Sequence, residues 1–147
     1  NEVMETKNAN GGAGFTEYND GTIQFETTQW SQGYYDNGKI WQTFTLPEGK
    51  YEMRIEVKNA ANIGSGSTNI HFAVAQGESL PDNEELEKSD IILSYLKFES
   101  EHTNKTSALP IFELTEEKTI TVGWVVSFSD ICRNIEFKSV RLWSVAE

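Results

Sequence analysis

Two stretches decide the fold: Gly49–Asn59, GKYEMRIEVKN, and Lys118–Phe128, KTITVGWVVSF. In the first, Tyr51, Met53, Ile55 and Val57 alternate with Glu52, Arg54, Glu56 and Lys58. Successive side chains of a β-strand point to opposite faces, so this pattern predicts a strand with one buried and one wetted face. In the second, Ile120, Val122, Trp124, Val126 and Phe128 alternate with Thr119, Thr121, Gly123, Val125 and Ser127. Trp124 keeps step with the apolar set and is predicted to be buried. Tyr51, Met53, Ile55, Val57, Phe72, Ile120, Val122, Trp124 and Val126 should share one core.

Period two continues outward from these stretches. Ile70, Phe72 and Val74 form a shorter version, as do Ile40, Phe44 and Leu46 around Gln42. Thr22–Thr28, Ile91–Phe98 and Leu109–Leu114 are rich in β-branched and aromatic residues and read as further strands. Ile135 and Phe137 are in one phase, Val140 and Leu142 in the other; an extra residue near Lys138-Ser139, a β-bulge, reconciles them. Asn19-Asp20-Gly21 and Asp36-Asn37-Gly38 are turn sequences whose Gly supplies positive φ. Leu46-Pro47-Glu48-Gly49 is a tight reversal, and Asn59–Asn69 an exposed Gly/Ser-rich loop. Pro81–Lys88 holds the candidate helix, a turn or two long. About eight strands with so little helix predict an all-β, antiparallel β-sandwich of jelly-roll type, one domain over residues 1–147.

Composition narrows the function. Against 12 Lys and Arg stand 23 Asp and Glu, a net charge of −11, which repels a phosphate backbone and excludes nucleic acid as the expected partner. No apolar run reaches the roughly 18 residues of a membrane-spanning helix. Aromatic residues at 12% are too many for a disordered chain. The opening Asn1-Glu2-Val3-Met4 carries no basic region followed by an apolar one, so the sequence is expected to be a mature or excised piece.

Catalytic groups are few. His71 lies out of phase with Ile70 and Phe72 and is expected on a solvated outer face; His102 sits in a polar loop. Neither belongs to a set with metal-ligand spacing. Cys132 is the single thiol and is expected to fill a small core space. Residues 78–101 carry eight carboxylates against two lysines. Calcium takes six to eight oxygens, but its compact loops favour Asp, Asn and a Gly turn, and this segment is mostly Glu; it is expected to be a solvated loop. No cofactor and no catalysis are predicted.

The aromatic residues are the informative excess. Trp41 and Trp143 fall opposite in phase to the core sets of their strands. Trp30, Tyr34 and Tyr35 lie in a loop-like stretch, Gln29–Gly38, beside Gln32, Asp36 and Asn37. Flat apolar rings next to amides and a carboxylate suit a sugar: its C–H face sits on the ring and its hydroxyls take the hydrogen bonds. Trp30, Gln32, Tyr34, Tyr35, Asp36, Asn37 and Trp41 are therefore the expected ligand-binding residues. A chain of charge −11 is expected to prefer neutral glycans. The competing expectation is that these rings close a sandwich edge and the domain merely spaces others.

Asn37–Val57, Phe72–Asp82, Ile120–Phe128 and Phe137–Val145 together resemble galactose-binding-like jelly-roll domains of Bacteroidetes surface lipoproteins. The pattern Ile40, Gln42-Thr43-Phe44-Thr45-Leu46-Pro47, Gly49 and Tyr51 carries much of the likeness. The resemblance implies export to the cell surface or periplasm of a Gram-negative bacterium, and a place as one module of a longer surface lipoprotein. It also implies carbohydrate binding, in many members with a structural calcium near the chain ends. Expected partners are a glycan or neighbouring domains of the same protein.

Overall fold

The computed structural model describes residues 3–10, 14–17, 23–26, 34–60, 68–128 and 134–145, with side chains at 37–60, 68–128 and 135–145. Within them the chain forms β1 (Val3–Asn10), β2 (Gly14–Glu17), β3 (Ile23–Glu26), β4 (Tyr34–Leu46), β5 (Gly49–Asn59), β6 (Thr68–Gln76), α1 (Asn83–Leu86), β7 (Ile92–Lys97), β8 (Lys105–Ala108), β9 (Phe112–Leu114), β10 (Lys118–Phe128) and β11 (Asn134–Ser144). The two deciding stretches are β5 and β10, with the bounds their alternation predicts. β1, β2 and β8 lie in stretches with little apolar alternation, and pairing with β4, β3 and β5 makes them strands.

The described pairings are antiparallel and build two sheets. One has the order β1-β4-β10-β6-β7, the other β2-β3-β11-β5-β8 with β9 also on β5. Consecutive strands often change sheet: β4, β5 and β6 alternate between the two layers. Leu46-Pro47-Glu48-Gly49 is thus a corner from one sheet to the other, and the Tyr51 hydroxyl fastens it by donating to Pro47 O at 2.8 Å. Lys138 is the extra residue in β11, because Phe137 pairs with Val57 and Ser139 with Glu56. Asn19-Asp20-Gly21, Cys132 and residues 61–67 of the expected loop lie outside the described residues.

The inner faces of the two sheets form one core, which contains every residue that the alternation assigns to it. Trp124 is its centre. It stacks on Phe137 at 4.6 Å and meets Phe72 edge-on at 5.3 Å.

The outer face of the five-stranded sheet departs from expectation. Val125 and His71 fall in the wetted phase, yet both are fully buried. Segment 77–91, which joins β6 to β7 and includes α1, lies across this face. Its Leu80 and Leu86 pack with Ala73, Ala75 and Val125 in a second cluster, with Trp41, Ile92 and Tyr95 at the margin. His71 is therefore not a solvated surface residue. The alternation identifies the face correctly but not what covers it.

Gly123 shows how closely the central strands approach. A Cβ there would collide with the Ile40 carbonyl and lie 2.8 Å from Trp41 Cα. Because the obstacles are backbone, Gly123→Ala should cost about 3 kcal/mol, the upper end of ordinary overpacking. A urea-unfolding midpoint indistinguishable from the parent would refute this.

Candidate functional site

Of the expected binding residues, only Asn37 and Trp41 have described side chains. Trp30 and Gln32 lie outside the described residues. Tyr34, Tyr35 and Asp36 open β4 rather than occupying a loop, pairing through their backbones with Asn10, Phe128 and Lys7. Asp36-Asn37-Gly38 is not a chain reversal either. Asn37, not Gly38, takes the positive φ (57°), and β4 carries an extra residue here against both neighbours: a bulge within a strand. Asn37 is buried; its Oδ1 accepts from the Asn83 amide at 2.7 Å and its Nδ2 donates to Glu84 at 3.3 Å. Trp41 lies six residues beyond Tyr35, roughly 20 Å along a strand, half-buried against the second cluster.

Asn37 belongs to a polar clamp that fixes segment 77–91 to the sheet. Lys39 Nζ donates to Leu80 O at 3.0 Å and to Asp82 Oδ1 at 2.7 Å. Asn83 Nδ2 donates to Asn69 O and to Ser127 Oγ, which turns its Oδ1 toward His71 Nδ1 at 2.9 Å. The other ring nitrogen meets Glu87 Oε2 at 3.1 Å, and Tyr95 donates its hydroxyl to Glu87 Oε1. The hydrogen bond from His71 holds the Glu87 carboxyl below its ordinary value, against an upward push from burial. The hydrogen bond to Glu87 in turn raises the Tyr95 phenol. Several acids of the 78–101 segment thus pin chain to chain rather than simply facing water. His71 is sealed under the segment, so its imidazole is out of a substrate's reach, whereas Glu87 is half-exposed.

A different surface offers a ligand both apolar area and hydrogen-bonding groups. On the outer face of the six-stranded sheet, Arg54, Glu56, Thr106, Ser139, Arg141 and Trp143 line an open cleft. Pairing places them: Ser139 opposes Glu56, Arg141 opposes Arg54, Trp143 opposes Glu52, and Thr106 stands beside Glu56 from β8. Trp143 is 44% exposed. The Arg54 guanidinium lies 5.2 Å from its ring centroid while Nε donates to Glu52 at 2.6 Å, so the ring and the charge brace each other. Ser139 Oγ donates to Glu56 at 3.2 Å. An exposed indole flanked by hydroxyls, a carboxylate and guanidinium groups can seat an apolar face and hydrogen-bond the polar edge around it.

Trp143 carries the same phase signal in the sequence as Trp41, while Arg54 and Glu56 belong to the wetted face of the deciding stretch. What sequence reasoning missed is that β11 and β5 lie side by side and merge these signals. A second cleft opens between the sheets and is lined largely by apolar groups of Ile40, Trp41, Val122, Trp124, Phe137 and Val140, which suits a sugar poorly. Among the described residues no three His, Cys, Asp or Glu side chains gather as a metal-ligating group. No helix among them is long and apolar enough to cross a membrane.

Known structures share this architecture. The TmCBM61 module in complex with β-1,4-galactotriose is 11% identical, with a TM-score of 0.54 over 98% of this chain and 88% of that one. The xylan-binding module CBM15 is 12% identical, with a TM-score of 0.56 over 99% and 92%. A candidate sugar-binding protein from Bacteroides thetaiotaomicron is 12% identical, with a TM-score of 0.54 over 99% and 88%. At such identities the likeness establishes the fold: an antiparallel β-sandwich of the kind carbohydrate-binding modules use. No curated protein matches the sequence. The model of one family, a domain of unknown function designated DUF5013, matches residues 1–123, and the chain belongs to that family.

Proposed function

We propose that this domain is a non-catalytic carbohydrate-binding module of a surface glycan-utilisation protein, seating its ligand on exposed aromatic rings. The observation that carries the proposal is Trp143, an exposed indole on a rigid sheet, ringed within one cleft by hydroxyl, carboxylate and guanidinium groups. The fold shared with carbohydrate-binding modules supports it. So does the chemistry: a ring contributes an apolar platform, and the side chains around it orient the sugar. Affinity should be modest, since an open cleft leaves much of the sugar in water and ordering the sugar costs free energy. The stretch Trp30–Asp36 is a second candidate platform, proposed from its composition alone; Asn37 drops out of it because it is buried in the clamp. The net charge of −11 favours neutral sugars during the encounter, while contact selectivity lies with the charges of the cleft itself.

A glycan array followed by calorimetric titration tests this. Trp143→Ala should lower affinity at least tenfold while leaving the unfolding midpoint within the small range of surface substitutions. Tyr35→Ala serves as the control for the second platform. If Tyr35→Ala abolishes binding and Trp143→Ala does not, the site lies on β4. If the array shows no ligand, the domain is a spacer or docks its neighbours.

A further inference from the structure

The two arginines of the cleft face each other. Arg54 on β5 and Arg141 on β11 are a directly opposed pair in the antiparallel register and line the same cleft. Like charges placed directly across a sheet are unfavourable unless something of opposite charge lies between them or beside them. Arg54 is relieved by Glu52, bonded to its Nε, and it leans on the Trp143 ring. Its Nη hydrogens remain outside that bond. Arg141 is exposed, and among the described residues no carboxylate forms a salt bridge with it. The remaining acid of the cleft, Glu56, accepts from Ser139 and stands one outward position further along β5, where it forms no salt bridge with either arginine. The cleft therefore holds two guanidinium forks, one of them without a salt bridge to any carboxylate of the described residues, beside an exposed indole.

We infer that this cleft selects a glycan bearing a carboxylate, that is, one containing a uronic acid. This rests on the carbohydrate-binding proposal and names the ligand class at the same site. A planar carboxylate matches the guanidinium fork and accepts two parallel N–H bonds from it, as a hydroxyl does not. The sugar ring then lies over Trp143, with Thr106 and Ser139 near its hydroxyls. The net charge of −11 does not forbid this. At physiological ionic strength charges beyond roughly 8 Å are largely screened, whereas the arginines act at contact. The chain as a whole slows the approach of an acidic glycan, and the cleft holds it once it arrives.

The experiment compares each acid with its own neutral form. Trigalacturonate and a hyaluronan hexasaccharide are titrated beside their methyl esters, which preserve ring shape and remove the charge. The parent domain should bind at least one acid about tenfold or more tightly than its ester, and raising salt from 50 to 500 mM should narrow the gap. Arg141→Gln should bring acid and ester to within about twofold of each other, because it weakens the acid far more than the ester. Trp143→Ala should weaken both forms together. Equal binding of acid and ester by the parent, or an acid preference that survives Arg141→Gln, overturns the inference. If neutral glycans bind through Trp143 and neither acid is preferred, only the ligand class is wrong. If neither acid nor ester binds and the array is blank, the carbohydrate reading fails with it.

Discussion

Truncating Trp124 to alanine is expected to destabilise the domain by about 3–5 kcal/mol, the range for a large buried aromatic. The indole is 1% exposed and touches both sheets: Phe72 on β6, Phe137 on β11 and, at 4.7 Å, Phe98 beyond β7. Removing it opens a hole that three rings cannot all fill, and strand positions on either side are fixed by their ladders. Trp124→Phe should behave differently. Its Nε1 is buried with no acceptor among the described residues, so phenylalanine removes a group whose burial is itself unfavourable by about 1–3 kcal/mol. That gain offsets part of the lost contact, and the phenylalanine variant should lose less than half as much as the alanine variant. Chemical denaturation of the three proteins decides it. An alanine variant within 1 kcal/mol of the parent would place Trp124 outside the core.

The contrast between Trp41 and Trp143 shows what the sequence can convey. Both stand out of phase with their strand's apolar set, and period two states correctly that both leave the inner face. One then packs against the cluster that segment 77–91 completes and is half-buried, the other is exposed in a cleft lined by polar groups. The difference comes from the long connection between β6 and β7, whose Leu80 and Leu86 give no hint of which strand they will cover. His71 and Val125 are hidden by the same covering. Alternation is local and survives folding; the partner of an outer face is non-local and depends on topology. Asp36-Asn37-Gly38 teaches a related point. Its composition signals positive φ, and the chain does use positive φ there, but at Asn37 and to bulge a strand instead of reversing it. The opposed arginines could not be read at all, since Arg54 and Arg141 meet only because β5 and β11 are adjacent.

The covering segment supplies the second large effect. His71→Ala is expected to cost about 3 kcal/mol. The substitution leaves a cavity in a wholly buried position. It also strips Asn83 Oδ1 of the ring nitrogen that faces it, and an orphaned buried acceptor costs on the order of 1–3 kcal/mol. Glu87→Gln should cost under about 1 kcal/mol, because that end of the bond is half-exposed to water. The pair also fixes a pH dependence. The Glu87 carboxyl is held below its ordinary value of 4.5 in the folded chain, so its contribution is fully present above pH 4.5 and is lost as pH falls through the lower folded value. Glu87→Gln should flatten that part of the acid limb. Tyr95 works in the opposite sense: its phenol is raised above 10.0, so its share is intact below pH 10 and fades as pH climbs beyond it. Amide exchange gives the sharper readout, since the amides of Glu85 and Leu86, which donate to Asp82 O, should exchange faster in His71→Ala well before global unfolding. Glycan binding should persist in that variant, because the cleft lies on the outer face of the other sheet. Loss of binding in a folded His71→Ala protein would mean that the ligand sits against the covering segment, on the opposite side of the sandwich from Trp143.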